Sequence, residues 1–294
     1  MVMPILILLI AAVLAVVSIA VVVLVTSIRV RTESRPIRVR HVAEILAGQW
    51  APLRQKTIFF GHQSVGFDIV AGLRDLAARH AEVTLNLVET KDPGEVEGAM
   101  LAHERVGHNF DPQSKIAEFR RLLEGGLGEK VDIAFFKFCF VDLGRGSDPE
   151  AVLASYCETM AALKARFPQV VFLHVTVPLC GPPQRLKGML KASIKRLIGR
   201  PPVLEENEVR ARYNALLRER FAGKEPFFDL ARYETLGPTG RPHYSIRQGR
   251  KVPVLVRAYT DDGGHLNQVG RVHLAEQLLL ALHDSLGPQP GEDG

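Results

Sequence analysis

Two short polar segments contain the side chains needed for nucleophilic chemistry at a carbonyl carbon. Gly61-His62-Gln63-Ser64 carries a serine, and Asp262-Gly263-Gly264-His265-Leu266-Asn267 carries a carboxylate and an imidazole. A serine hydroxyl is a weak nucleophile at neutral pH unless a base takes its proton, and a carboxylate can hold that base in the required tautomer. We therefore interpret Ser64 as a candidate nucleophile, His265 as its base and Asp262 as the group that orients the base.

Each segment also has an interpretation without chemistry. Ser64 lies where a predicted strand ends and a predicted helix begins, and serine is common there as an N-cap residue. The same position suits a nucleophile, because the backbone N–H groups at a helix start are unpaired and favour developing negative charge. Asp262 and His265 could form only a polar turn before a helix, and Asp261 could replace Asp262 as the orienting carboxylate.

The elements that would bring these segments together follow from alternating apolar patterns. From residue 57 onward, short apolar runs typical of strands alternate with stretches whose apolar residues recur every three or four positions. Strands are predicted over residues 57–60, 83–88, 131–140, 170–175 and 227–230. Helices are predicted over residues 65–80, 115–123, 149–167, 206–221 and 269–286. This order predicts an α/β fold, a three-layer sandwich with a mainly parallel sheet that binds ligands at the carboxyl ends of its strands.

Several segments interrupt the alternation. Residues 89–114, 180–202 and 236–252 are rich in Gly, Pro or charge, and we predict that they are long loops over the strand ends. Residues 287–294 have the composition of a disordered tail. Lys137 is charged inside a predicted strand, so it requires a partner or an outward-facing position. It could bind an anionic substrate group or reach the surface along its stem.

The N-terminus predicts a membrane anchor. Residues 5–25 are apolar except for Ser18, long enough to cross a bilayer as a helix, so residues 1–28 are assigned to one transmembrane anchor. A cleaved signal peptide is the alternative, but no Lys or Arg precedes the run. Residues 29–55 form a basic juxtamembrane linker, and the residues expected to contact lipid head groups are Arg29, Arg31, Arg35, Arg38 and Arg40. This flank favours a cytoplasmic main domain, whereas an esterase of the cell envelope would need the opposite orientation.

Composition excludes several other classes of protein. The chain of 294 residues is 47% hydrophobic and 23% charged, which is typical of a folded domain and not of a disordered protein. No zinc-finger spacing or RNA-binding motif appears, so no nucleic-acid partner is predicted. Cys139, Cys157 and Cys180 have no paired spacing and are interpreted as buried apolar residues. A metal site made from the histidines and Asp262 is a weaker alternative, because no metal-ligand spacing supports it, and we predict neither a metal nor a cofactor.

Together, the two polar segments resemble the SGNH, or GDSL-like, hydrolase family. The resemblance covers residues 56–286: a nucleophile segment follows the first strand, and an Asp-x-x-His segment precedes the last helix. It implies a serine esterase that acts on a small acyl ester, on a glycan or a lipid, with Ser64, Asp262 and His265 as the catalytic residues. An O-acyltransferase, or a binding or scaffolding domain without catalysis, is the alternative.

The chain departs from that family at two places. The family's Gly-Asp-Ser is replaced by Gly61-His62-Gln63-Ser64, and the position of the asparagine that stabilises the oxyanion holds Val141, followed by Asp142. We therefore predict that Gly107 and Asn109, in the loop segment before the second predicted helix, donate to the oxyanion instead. Loss of one oxyanion donor costs on the order of a hundredfold or more in turnover, so this replacement decides whether the site is active.

Overall fold

A computed structural model describes residues 29–45, 47–181 and 203–287 of the chain. The predicted transmembrane anchor, the basic part of the predicted loop 180–202 and almost all of the predicted tail lie outside these residues. Within the described residues, no helix has the length and apolar character to cross a membrane.

The described residues alternate between strands and helices as the apolar patterns predict. The strands are β1 (Arg31–Thr32), β2 (Thr57–His62), β3 (Leu87–Glu89), β4 (Met100–Arg105), β5 (Ile133–Phe136), β6 (Val171–Phe172), β7 (His174–Val175), β8 (Phe227–Phe228), β9 (His243–Arg247) and β10 (Arg250–Pro253). The α-helices are α1 (Ala51–Arg54), α2 (Val65–Ala77), α3 (Pro112–Glu124), α4 (Pro149–Arg166), α5 (Val203–Phe221), α6 (Leu230–Thr235) and α7 (Gln268–Asp284).

A five-stranded parallel sheet in the order β3-β4-β2-β5-β6 forms the centre of the fold. Its middle strand, β2, is buried along its whole length, which suits its aromatic and β-branched residues. Leu173 separates β6 from β7, which pairs in parallel with β8. The predicted α/β fold with a mainly parallel sheet is thereby confirmed.

Strand β4 is not predicted by the apolar pattern of the sequence. Residues 89–114 were predicted to be a loop, but they contain β4, which pairs with β2 from Met100 opposite Thr57 to Arg105 opposite His62. The second half of this strand is polar, so its apolar run is too short to be recognised. Pairing with the buried β2 overrides that weak local preference.

Two apolar cores lie on opposite faces of the sheet and make it the middle layer of three. Helices α2 and α7 cover one face, and α3, α4 and α5 cover the other. Helices α2 and α7 pack closely, because a Cβ atom at Gly72 would lie only 2.1 Å from the Arg271 carbonyl oxygen. Arg271 also pairs with Asp75 at 2.7 Å. Since α2 follows Ser64 and α7 follows Asn267, this packing brings the two polar segments together.

The N-terminal segment of the described chain belongs to the folded domain. Trp50 and Leu53 are buried in the core, and Arg31 in β1 pairs with Tyr244 in β9. These contacts extend the domain to the N-terminal side of residue 56, the predicted boundary. Residues 236–252 also differ from the predicted loop, because they contain β9 and most of β10, which form an antiparallel hairpin.

Candidate active site

Ser64 occupies a sharp turn between β2 and α2. Its φ of 53° and ψ of −115° lie in a region that residues with side chains rarely adopt, so the turn stores backbone strain of the kind found at functional sites. The Ser64 side chain makes no N-cap hydrogen bond to α2. Instead, its Oγ lies 2.8 Å from Nε2 of His265. The interpretation of Ser64 as a simple helix cap therefore does not describe this serine.

His265 lies between Ser64 and Asp262 in one hydrogen-bonded line. Nδ1 of His265 is 2.7 Å from Oδ2 of Asp262, which leaves Nε2 as the acceptor for the Ser64 hydroxyl when the ring proton is on Nδ1. Burial raises the pKa of Asp262, but hydrogen bonds from the His265 ring and from backbone N–H groups outweigh this effect and bring the pKa below its ordinary value. Asp262 is thus the ionised partner that this arrangement needs.

The turn that carries Asp262 is fixed by its own backbone. Oδ1 of Asp262 accepts hydrogen bonds from the N–H groups of Gly264 and His265, both at 2.8 Å. Gly263, with a φ of 91°, supplies the conformation that this path requires. The side chain of Asn267 caps α7 by accepting from the Gly270 N–H at 3.0 Å, so the helix cap and the carboxylate are separate residues.

A second carboxylate connects the two halves of the site. Oδ2 of Asp68, in the first turn of α2, accepts from the Leu266 N–H at 3.0 Å. This hydrogen bond joins the helix behind Ser64 to the residue next to His265. Burial raises the pKa of Asp68. Sequence patterns gave no signal for Asp68, because its partner is a backbone group far along the chain.

The structure does not support the predicted oxyanion role of Gly107. Its N–H donates to Oε2 of Glu118 at 2.6 Å and is therefore committed within the protein. Its carbonyl accepts from the Gln63 side-chain amide. Asn109 is exposed, and its Oδ1 accepts from Nζ of Lys115 at 3.1 Å. The Ser64 N–H, at the start of α2, is the donor that the fold itself supplies.

The residues beyond β5 form a turn that contacts the segment before Ser64. Strand β5 ends at Phe136, well before residue 140 where the prediction placed it. Lys137 still bonds to β2, through its N–H to the Gly61 carbonyl, and the chain then leaves the sheet in a turn closed by the Asp142 N–H on the Cys139 carbonyl. Asp142 accepts from the N–H groups of Phe110 at 2.9 Å and Cys139 at 2.6 Å, and it forms a buried ion pair with Lys115 at 2.5 Å. Lys137 is 1% exposed, so it does not reach the surface.

The histidines of the metal alternative do not gather at one site. His62 and His103 are buried side by side in β2 and β4, with 3.2 Å between Nε2 of His62 and Nδ1 of His103. His108 is exposed on the loop after β4. Across the part of the chain that the structure describes, no three His, Cys, Asp or Glu side chains are grouped to hold a metal ion.

The three aligned side chains are open to solvent. The side chains of His265 and Asp262 are 51% and 57% exposed. The ring of Phe140 packs edge-on against His265, with 5.7 Å between ring centroids. A cavity of about 320 Å³ lies elsewhere, and its lining includes Arg218 and Asp229 but none of the three residues. The three side chains therefore lie at an open edge of the domain.

Comparisons with known proteins give similarity of overall structure at low sequence identity. No family profile and no curated protein matches the sequence. A candidate platelet activating factor from Streptococcus pneumonia is 15% identical, with a TM-score of 0.45 over 80% of this chain and 91% of that one. A candidate GDSL-like lipase from Parabacteroides merdae is 13% identical, with a TM-score of 0.42 over 78% and 96%. The periplasmic domain of a lipopolysaccharide acetyltransferase from Salmonella ser. Paratyphi A is 12% identical, with a TM-score of 0.41 over 76% and 83%.

Proposed function

We propose that the protein is a serine-dependent acyl-ester hydrolase of the SGNH type. The observation that carries this proposal is the continuous line from Ser64 Oγ to His265 Nε2, at 2.8 Å, and from His265 Nδ1 to Asp262, at 2.7 Å. Both distances lie within the range for proton transfer between a nucleophile, its base and an orienting carboxylate. The strained backbone at Ser64 adds support, because a simple surface serine has no need for such a conformation.

The reaction follows from these positions. Ser64 Oγ attacks the ester carbonyl carbon while its proton moves to Nε2 of His265, and the carbonyl oxygen becomes an oxyanion beside the Ser64 N–H. Collapse of this tetrahedral species breaks the ester bond, and His265 returns the proton to the departing alcohol. Water then attacks the acyl-enzyme with His265 again as base, which releases the acid and restores Ser64.

The exposure of the site limits the substrate class. An open arrangement offers little apolar surface for burying a large acyl group, so we assign a small acyl ester, carried on a larger alcohol that remains outside. We also propose that the predicted helix within residues 1–28 and the arginines that follow it hold the enzyme at a membrane, where a lipid or envelope glycan is the acyl-bearing alcohol.

A fluorophosphonate probe tests the nucleophile directly. The full chain in detergent is expected to be labelled, and Ser64→Ala is expected to lose the label. Ser285→Ala is the matched control, since Ser285 caps the end of α7 by donating to the Leu282 carbonyl. Equal labelling of the wild type and Ser64→Ala, or labelling of neither, would rule out a serine nucleophile at this position.

Two further assays address the remaining parts of the proposal. Release of acetate from p-nitrophenyl acetate measures hydrolysis, and acyl product formed on an added alcohol measures transfer. Alkaline carbonate extraction of membranes tests the anchor, because a transmembrane protein stays in the pellet while a peripheral one is released. Recovery of the full chain in the supernatant would contradict membrane anchoring and leave the esterase proposal intact.

A further inference from the structure

Lys137 is a buried cation without a carboxylate partner in the part of the chain that the structure describes. It lies one residue beyond the end of β5, 1% exposed. Its ammonium donates to the Phe138 carbonyl oxygen at 3.2 Å and lies 3.9 Å from Sγ of Cys139. Burial of an ammonium without a paired anion is costly, and such groups concentrate at functional sites.

Lys137 lies beside the turn that carries the nucleophile. Its backbone N–H donates to the Gly61 carbonyl at 3.1 Å, and Sγ of Cys139 donates to the Gln63 carbonyl at 3.6 Å. Residues 137–139 therefore run alongside residues 61–63, immediately before Ser64. The electrostatic effect agrees with this placement: burial lowers the pKa of His62, and the Lys137 charge lowers it further.

The Gln63–Ser64 peptide bond connects Lys137 to the reaction. The Gln63 carbonyl oxygen accepts from the Gly66 N–H at 3.0 Å as well as from Cys139. In a trans peptide the C=O and N–H bonds point in opposite directions, so a carbonyl held on the Cys139 side aims the Ser64 N–H away from it. Cys139 donates to this carbonyl, and the Lys137 ammonium lies next to Cys139. The positive charge polarises the Gln63–Ser64 peptide and strengthens its N–H as a hydrogen-bond donor.

We propose that Lys137 is a positioning residue of the hydrolase, acting through Cys139 on the Gln63–Ser64 peptide to strengthen the N–H that stabilises the oxyanion. This inference rests on the proposed function. It accounts for catalysis without the asparagine that SGNH hydrolases provide, whose position holds Val141. The cation is preorganised in a buried site, where its field is stronger than at the surface.

Steady-state kinetics on p-nitrophenyl acetate with the full chain test the proposal. Lys137→Met removes the charge and keeps the length of the side chain. It is expected to lower kcat about tenfold to a hundredfold while KM stays within about twofold, because the interaction strengthens only in the transition state. Lys137→Arg is expected to recover part of the loss. Lys56→Met is the matched control at the amino end of β2, where Lys56 pairs with Asp132 at 3.2 Å, and it should leave kcat unchanged.

Cys139 provides a second, independent variant. Cys139→Ala removes the donor to the Gln63 carbonyl and should lower kcat, whereas Cys139→Ser keeps a donor and should lose less. Combining Lys137→Met with Cys139→Ala should cost less than the sum of the two single effects, because both act on one peptide.

Thermal denaturation separates positioning from a structural role. Removal of a buried unpaired charge should leave the melting temperature of Lys137→Met equal to or above that of the wild type. Unchanged kcat in Lys137→Met, or a fall in kcat that matches a fall in the melting temperature, would overturn the proposal. Absence of turnover in the wild type would overturn the esterase proposal itself, whereas wild-type turnover that Lys137→Met retains would overturn only this inference.

Discussion

Replacement of Asp262 by Asn is expected to be more harmful than replacement by Ala. Oδ1 of Asp262 accepts from the N–H groups of Gly264 and His265, so the amide oxygen of an asparagine must take that position. Its NH₂ group then faces Nδ1 of His265. Nδ1 must become an acceptor, which moves the ring proton to Nε2, the atom that lies 2.8 Å from Ser64 Oγ. The base is then blocked by its own proton.

The magnitudes follow from the same geometry. Locking the base in the wrong tautomer costs on the order of 10⁴-fold in turnover. Asp262→Ala leaves both tautomers accessible. In the catalytic step it removes the attraction between carboxylate and imidazolium, about 1 kcal/mol in water and about 4 kcal/mol at an effective dielectric constant of 20. Its loss of the two backbone hydrogen bonds lowers the melting temperature. Because the side chains of His265 and Asp262 are 51% and 57% exposed, the value lies between these limits. A loss between about fivefold and 10³-fold is expected for the alanine variant.

The assay is kcat/KM for p-nitrophenyl acetate, with Ser64→Ala as the background rate. The asparagine variant keeps the backbone acceptor, so its melting temperature should match that of the wild type or exceed that of the alanine variant. A fully folded Asp262→Asn that is as active as Asp262→Ala, or more active, would refute the assignment of the Nδ1 proton and with it the role of Asp262.

Three further outcomes are expected from other parts of the site. Ser64→Gly should be more stable than Ser64→Ala by about 1 kcal/mol in thermal denaturation, because only glycine adopts a φ of 53° without strain; equal melting temperatures would argue against strain at this turn. Burial raises the pKa of Glu234 to about 8, so the folded state keeps a proton that the unfolded state has lost, and stability should fall as pH rises from about 4.5 to 8. Glu234→Gln should make the free energy of unfolding, measured by urea titration at each pH, depend less on pH. An unchanged dependence on pH would contradict this prediction. Phe110 is 74% exposed with a φ of 68°, on the loop that contacts Gln63, and we expect its ring to contact part of a longer acyl chain. Phe110→Ala should therefore lower kcat/KM for a hexanoyl ester about fivefold more than for an acetyl ester. This ratio corresponds to the loss of about 1 kcal/mol of apolar contact. Equal losses on both esters would exclude an acyl contact.

The parts of the fold that the sequence predicted are those set by local patterns. The period of three to four in α2 and α7 and the apolar run of β2 identify these elements without reference to the rest of the chain. Their order then implies that the start of α2 and the start of α7 lie at the same edge of the sheet. The sequence patterns therefore predict that Ser64 and His265 lie close together.

The parts that were missed depend on contacts between distant segments. Strand β4 is recognisable only beside β2, and the direction of the Gly107 N–H is decided by Glu118 on α3. Gly107 has the residue type and the loop position expected of an oxyanion donor. Backbone N–H direction is set by its acceptor, which a pattern of residue types does not reveal.

The departure from Gly-Asp-Ser at the nucleophile turn is matched by the structure around it. The side-chain amide of Gln63 donates to the carbonyl oxygens of Val106, at 3.2 Å, and Gly107, and so joins the turn to the loop after β4. A carboxylate in that place has no proton to donate and would face two carbonyl oxygens. Gln63→Asp, which moves the sequence towards the family's pattern, is therefore expected to cost about 2 kcal/mol or more in the free energy of unfolding, from two lost hydrogen bonds. Its kcat should fall as well, because the Gln63–Ser64 peptide would lose one of its anchors. A variant with wild-type stability and turnover would show that Gln63 does not stabilise the turn. The expected loss would show that the turn is held by contacts that Gly-Asp-Ser cannot make.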